Sequence, residues 1–167
     1  MTRYATDPQV VTSIRAIYAE FEVERQARQP QCDASGRCCR FEEYGHRLFV
    51  STAELAAFVA ALPPSPPAWD GTGCPYQVEG LCTAREGRPF GCRVYFCDSS
   101  SKDWQTTQYE RFHAAIRELH ERLGVPYVYA EWREALAAIG LPKQALPTEQ
   151  SPVGKGRIVL TVVPNRR

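Results

Sequence analysis

The chain has 167 residues, 44% of them hydrophobic and 23% charged, with a formal net charge of +1 at pH 7. That is the balance of an ordinary globular protein of about one domain's length, with enough chain for a core that needs no covalent staples. The near-zero charge gives no overall pull toward nucleic acid or membrane, no apolar run approaches the roughly 20 residues of a membrane span, and the opening MTRYATDPQV lacks the charged and apolar segments of a signal peptide. The expected location is therefore the cytoplasm.

The first predicted element is a helix over DPQVVTSIRAIYAEFEVERQAR, with Asp7 as N-cap, Pro8 at the first helical position, and Val10, Ile14, Ile17, Tyr18 and Phe21 at helical spacing. The stretch QCDASGRCCR follows, with three cysteines among residues too small and polar to make a core. HRLFVS then reads as a short strand. In STAELAAFVAAL, Ser51 precedes Glu54 by three residues, a capping box that opens a second helix. The prolines and glycines of PPSPPAWDGTG make it an extended connector.

CPYQVEGLCT reads as a hairpin turning at Glu79 and Gly80, which would bring Cys74 near Cys82 across its open end. A long helix is predicted over DWQTTQYERFHAAIRELHERLG, its apolar face formed by Tyr109, Phe112, Ile116, Leu119 and Leu123 and its end set by Gly124. AEWREALAAIG reads as a short helix, and GRIVLTVV in the tail as a strand. No internal repeat is visible. The expected fold class is α+β: a single domain over 1–167, with a cysteine-rich core over about 30–100, helical flanks over about 7–28 and 103–140, and a tail over 141–167.

The seven cysteines are Cys32, Cys38, Cys39, Cys74, Cys82, Cys92 and Cys97, all in the central part of the chain. Seven in 167 residues is below the roughly 8–10% of disulfide scaffolds, and the number is odd. In a reducing cytoplasm most would stay thiols. Buried cysteines acting as small hydrophobes would be scattered along the chain. Clustering points instead to metal or cluster ligation, with a disulfide or redox switch as the alternative.

Written out, CDASGRCC fits CxxCxxCC with Ser35 at the second cysteine position, and CPYQVEGLC and REGRPFGCRVYFC follow it. In this the chain resembles the bacterial YkgJ-type cysteine-cluster family, whose CxxCxxCC domain is described as a zinc or iron chelator. The resemblance covers roughly positions 30 to 100 and includes Arg88-Pro89 before Cys92-Arg93, as in the family's RPxxCR. It implies a metal or iron-sulfur site carried by the matching cysteines, and a related module occurs in flagellin lysine methylases. Ser35 is the departure, and it counts against any arrangement that needs all eight family cysteines.

Geometry narrows the ligands. Adjacent cysteines in an extended loop point to opposite sides, so Cys38 and Cys39 are not expected to serve one small site equally. Cys74, Cys82 and Cys92 are the leading ligands, joined by Cys39 or Cys38. Cys32 is a further candidate, Cys97 is unassigned, and His46 is a reserve ligand. His113 and His120 are expected to be surface or half-buried packing residues on the long helix.

Four thiolates around Zn2+ or an oxidised 4Fe-4S cluster carry a charge near minus two, which needs donors and cations around it. Arg88 and Arg93 are the candidates for that role, with Arg37 and Arg40 near the first loop. The chain has no intact CxxC knuckle of the zinc kind, and Phe90, Tyr95 and Phe96 could shield a cluster from water, so an iron-sulfur cluster, 4Fe-4S first, is favoured over zinc.

No phosphate-binding glycine loop, GxSxG, HExxH or GxGxxG occurs. The leading expectation is an iron-sulfur protein that transfers electrons to, or supports, an unidentified protein redox partner or substrate. The alternatives are a zinc-stabilised binding module and an enzyme related to the methylases, for which the chain is short. No nucleic-acid or membrane partner is indicated. The central region has few periodic apolar positions, so its order is expected to depend on the metal.

Overall fold

The computed structural model describes residues 2–62, 69 and 72–140. Within them the fold is α+β: six helices with two short antiparallel two-stranded sheets. Helix α1 spans Pro8–Arg28, α2 Phe41–Tyr44, α3 Thr52–Ala60, α4 Phe90–Val94, α5 Lys102–Leu123 and α6 Trp132–Ala138. The strands are β1 (Phe49–Ser51), β2 (Gln77–Val78), β3 (Leu81–Cys82) and β4 (Tyr129–Glu131). The predicted tail strand over GRIVLTVV and most of the proline connector lie outside the described residues.

The capping signals act as the sequence implies. Asp7 accepts hydrogen bonds from the backbone of Gln9 and Val10, and Pro8 follows it in α1. Ser51 and Glu54 form the reciprocal capping box of α3, and Gly124, at φ 61°, closes α5.

Helix α3 positions everything else. It is buried from Thr52 to Phe58, apolar on nearly every side, and so sits between two cores. Ala53, Ala56 and Ala57 face a first cluster built by Val10, Ile14, Tyr18 and Phe21 of α1 with Phe112, Ile116 and Leu119 of α5. Leu55 and Phe58 face a second cluster with Phe41, Val50, Tyr76, Trp132 and Leu136. The alanine side of α3 lets α1 approach closely, and the large side chains fill the wider space opposite.

Three elements differ from the sequence reading. β4 occupies Tyr129–Glu131, where the short helix was expected to begin, because these residues pair antiparallel with β1 in the register Phe49↔Glu131, Val50↔Ala130 and Ser51↔Tyr129. Glu131 then caps α6 by accepting from Arg133 and Glu134. The single-turn helices α2 and α4 are too short to leave a periodic signal. His120, expected as a surface or half-buried packing residue, is 2% exposed: its Nε2 accepts from Ala53 N at 3.4 Å, and its Nδ1 lies 3.0 Å from the Val125 carbonyl oxygen.

Candidate metal centre

The first cysteine loop is shaped by Gly36. Ala34 and Gly36 lie at φ 50° and 69°, and the chain then turns tightly through a 3-10 turn over Arg37–Cys39. A Cβ on Gly36 would fall 2.9 Å from the carbonyl oxygen of Gly80, so the loop lies directly on the β2–β3 hairpin. Gln77 Nε2 donates to the Gly36 carbonyl at 3.2 Å, and Cys74 N donates to the Cys39 carbonyl at 3.0 Å. These two bonds hold the first cysteine loop against the second.

The hairpin turns where expected, with Glu79 and Gly80 at φ 50° and 82°, the left-handed pair of a tight two-residue turn. Its ladder is shorter than expected, pairing Gln77 with Cys82 and Val78 with Leu81. Cys74 therefore precedes the ladder, and its carbonyl accepts from Gln77 N at 3.1 Å. Cys92 sits in α4, whose start is fixed by Glu54: one carboxylate oxygen accepts from Phe90 N and the other from Ser51 N, both at 2.9 Å. A capping residue of one helix thus positions the next.

Five thiols come together in this way. Cys38 and Cys39 have their sulfurs 3.8 Å apart. The expectation that adjacent cysteines would diverge fails because this stretch is a 3-10 turn and not extended chain. The Cys39 thiol donates toward Cys38, which brings Cys38 down to about 6 despite burial, with Arg88 adding in the same direction. Cys39 is pushed up, by its bond to Cys38 first and by Cys74 next. Cys74 is lowered chiefly by its bond with Cys39. Burial raises Cys82 and, more strongly, Cys92, and both also feel the charges of Cys74 and Cys38. Among the described residues, no three His, Cys, Asp or Glu side chains close to single-ion bonding distance.

The surroundings suit negative charge. Arg88 favours the thiolate at Cys38, Cys82 and Cys92, and its guanidinium reaches the Cys92 carbonyl at 3.5 Å. Arg93 lies within electrostatic reach of Cys92 but makes its direct contacts elsewhere: its guanidinium lies 4.3 Å from the Tyr18 ring centre, Nε donates to the Arg88 carbonyl at 2.8 Å, and Nη2 donates to the Glu86 carbonyl. The Tyr76 hydroxyl is buried without a hydrogen-bond partner, and the buried Trp132 Nε1 has none of ordinary geometry, although it lies close enough to the Cys74 sulfur to favour its thiolate. Two such donors beside a thiol lowered from its ordinary value are what an anionic sulfur site would use.

The remaining candidates fall outside this group. Cys32 is exposed at the start of the loop, and its neighbour Gln31 is tied by its backbone N–H to Asp98. Cys97 pairs with Ser35 instead, oxygen to sulfur 3.8 Å, so Ser35 has a thiol of its own to face. His46 points its Nε2 at the Cys38 carbonyl oxygen, 3.4 Å away, and stacks on Tyr95. The expected aromatic shell is met in part: Tyr95 lines the cleft beside Cys38 and Cys92, whereas Phe90 and Phe96 pack in the first core and Cys74 and Cys92 rest on the second, which holds Phe41, Tyr76 and Trp132.

Sequence reasoning passed over Glu54 as a staple of α4, Gln77 and Gly36 as the clasp, and Trp132 as a neighbour of Cys74. Gly36 left a signal, a glycine inside a cysteine loop. Trp132 left none, since it arrives through the β1–β4 pairing. Compared with family models, with curated proteins and with solved structures, the chain finds no match.

Proposed function

We propose that this chain is a metal-binding protein in which thiolates from Cys74, Cys82 and Cys92, with Cys38 or Cys39 as the fourth, hold an iron-sulfur cluster, 4Fe-4S by ligand number, serving electron transfer to or redox support of a protein partner or substrate. The observation that carries this reading is convergence. Four separate segments bring five thiols within one another's electrostatic reach, around Arg88 and beside two buried donors without a partner of ordinary geometry. These are also cysteines that the resemblance to the YkgJ-type family implies as ligands.

In this reading the thiolates bind and Arg88 balances their charge. Trp132 and Tyr76 donate toward sulfur, and the second core covers one side of Cys74 and Cys92. A bound cluster would supply one-electron chemistry at a potential set by those donors and by burial.

A second reading, a zinc site of structural role, is favoured by one distance. The 3.8 Å between the Cys38 and Cys39 sulfurs equals the edge of a tetrahedron with metal–sulfur bonds of about 2.3 Å. Purification without oxygen decides between them. The cluster reading expects a brown protein with iron and acid-labile sulfide in comparable amounts. Colourless protein with stoichiometric zinc and no sulfide establishes the second reading, and metal-free protein that takes up neither overturns both.

A further inference from the structure

Beside the thiols a cleft of about 340 Å³ opens between β1, β4, α4 and α5, and Cys38 and Cys92 form part of its wall. Its volume is at the small end of the roughly 300–1,000 Å³ of small-molecule sites, enough for a compound of two or three rings. Aromatic rings dominate its rim. Phe49 and Tyr129 stack at 5.5 Å between centres and His46 and Tyr95 at 5.8 Å, while Tyr109 joins its hydroxyl to that of Tyr129. Phe49, Tyr95 and Tyr129 are each more than a third exposed, although large aromatic side chains favour burial. On α4, Gly91 offers bare backbone where a Cβ would meet Leu48 at 2.6 Å.

Arg47 is the one Lys or Arg among the lining residues, no Asp or Glu is there, and Arg47 forms no ion pair with any described residue. Its guanidinium gives an anionic ligand a partner. Negative charge in the wall belongs to the sulfurs of Cys38 and Cys92 wherever they are ionised, so a ligand's anion is placed at Arg47 and its rings toward the sulfurs.

We propose that this cleft binds a small planar aromatic molecule bearing one anionic group, its rings among Phe49, Tyr95 and Tyr129 and its anion at Arg47, so that the bound molecule lies against Cys38 and Cys92. The site stands on the cleft's shape, rings and charge, and does not depend on which metal the thiols hold. It goes beyond the metal reading by giving the thiol cluster a small-molecule neighbour.

The test uses the full chain and two dyes of matching ring system, 1-anilinonaphthalene-8-sulfonate and its uncharged counterpart N-phenyl-1-naphthylamine. Binding is read by equilibrium dialysis, which a coloured centre does not disturb. One saturable site is expected for each dye. Thr106→Trp, at an exposed position of α5 on the cleft wall, should abolish binding of both. Arg47→Gln should weaken the anionic dye about 5- to 10-fold, the worth of one exposed charge-assisted bond, and leave the neutral dye within about 2-fold. Arg117→Gln, away from the cleft, should change neither.

Absence of saturable binding, persistence of both dyes in Thr106→Trp, or equal losses in Arg47→Gln would each overturn the proposal. Circular dichroism of each variant separates loss of the site from loss of fold, and Arg47→Gln, on an exposed side chain, keeps the test decisive should Thr106→Trp misfold. Iron, sulfide and zinc contents enter none of these outcomes, so the cleft and the metal reading fail or stand separately.

Discussion

The helical frame and the cysteine half of this molecule are held together by different means. In the frame, α1, α3 and α5 carry their own caps, and their apolar faces interlock through Phe21, Phe112, Ile116 and their neighbours. In the cysteine half the elements are one turn or two residues long, and six described positions there, Ala34, Gly36, Gly45, Gly73, Glu79 and Gly80, take positive φ. Two of these are not glycine, and each costs on the order of 1 kcal/mol. The frame is ordered by long capped helices packed on one another, whereas the cysteine half has short elements joined by a few bonds between loops, with its thiols at the edge of the second core. A metal bound there can add folding free energy of order 10 kcal/mol, which is the contribution the frame does not need.

Removing the metal is the hardest test of that contrast. Hydrogen exchange should accelerate across the described part of residues 30–100 while α1 and α5 stay protected. Within that range α3 should be the exception, because it is buried between both cores. Equal protection with and without metal would mean that the loops stand on their own. Next in size, Cys74→Ser, Cys82→Ser and Cys92→Ser should each cut metal affinity by more than the roughly 10- to 100-fold that loss of a supporting hydrogen bond costs. Cys32→Ser, outside the converged group, should retain full occupancy. Metal analysis after anaerobic preparation reads both.

Gly36→Ala asks whether the clasp matters. A methyl group there meets the Gly80 carbonyl at 2.9 Å from a left-handed backbone, so the substitution should cost at least about 2 kcal/mol. The loss should appear as faster exchange and lower metal occupancy in the cysteine half, with an unchanged helical signal. An equal loss in α5 would show that the two halves are one cooperative unit.

The smallest effect probes the frame alone. Burial, the largest influence on His120, lowers its pKa. The unfolded chain then binds a proton near pH 6.5 that the folded chain refuses, so stability falls as pH drops from about 6.5 toward the folded value, by at most about 1.4 kcal/mol per unit. Glu54 acts in the opposite sense, since burial raises its carboxyl, and the stability it brings at low pH is lost as pH rises above about 4.5. The difference between wild type and His120→Gln isolates the histidine: urea midpoints of the variant should fall less between about pH 7 and 5.5. A parallel decline in both proteins would remove His120 from the account.

How much of this was legible in the sequence follows the same division. The capping box at Ser51 and Glu54, the N-cap at Asp7, the stop at Gly124 and the Glu79-Gly80 turn are local signals, and each lies where its residues imply. The candidate thiols could be grouped because they crowd one stretch of chain. What could not be read is set by distant partners. β4 exists because Phe49 is opposite Glu131, and α4 starts where it does because Glu54 reaches Phe90 N. The direction of the Cys38 and Cys39 side chains depended on a 3-10 turn that three residues cannot announce.

The β1–β4 pairing also sets an order of events during synthesis. Phe49 leaves the ribosome long before Glu131, and at roughly 5–20 residues per second several seconds separate them. In the last part of that interval, once Cys97 has emerged, the cysteine loops are complete, yet Trp132, whose backbone N–H reaches the Leu48 carbonyl at 2.8 Å and whose ring adjoins Cys74, has not been made. The thiols therefore spend those seconds exposed to oxidants and to competing metals. A metal held by these thiols would have to be loaded, or the thiols shielded, before the chain that encloses them exists.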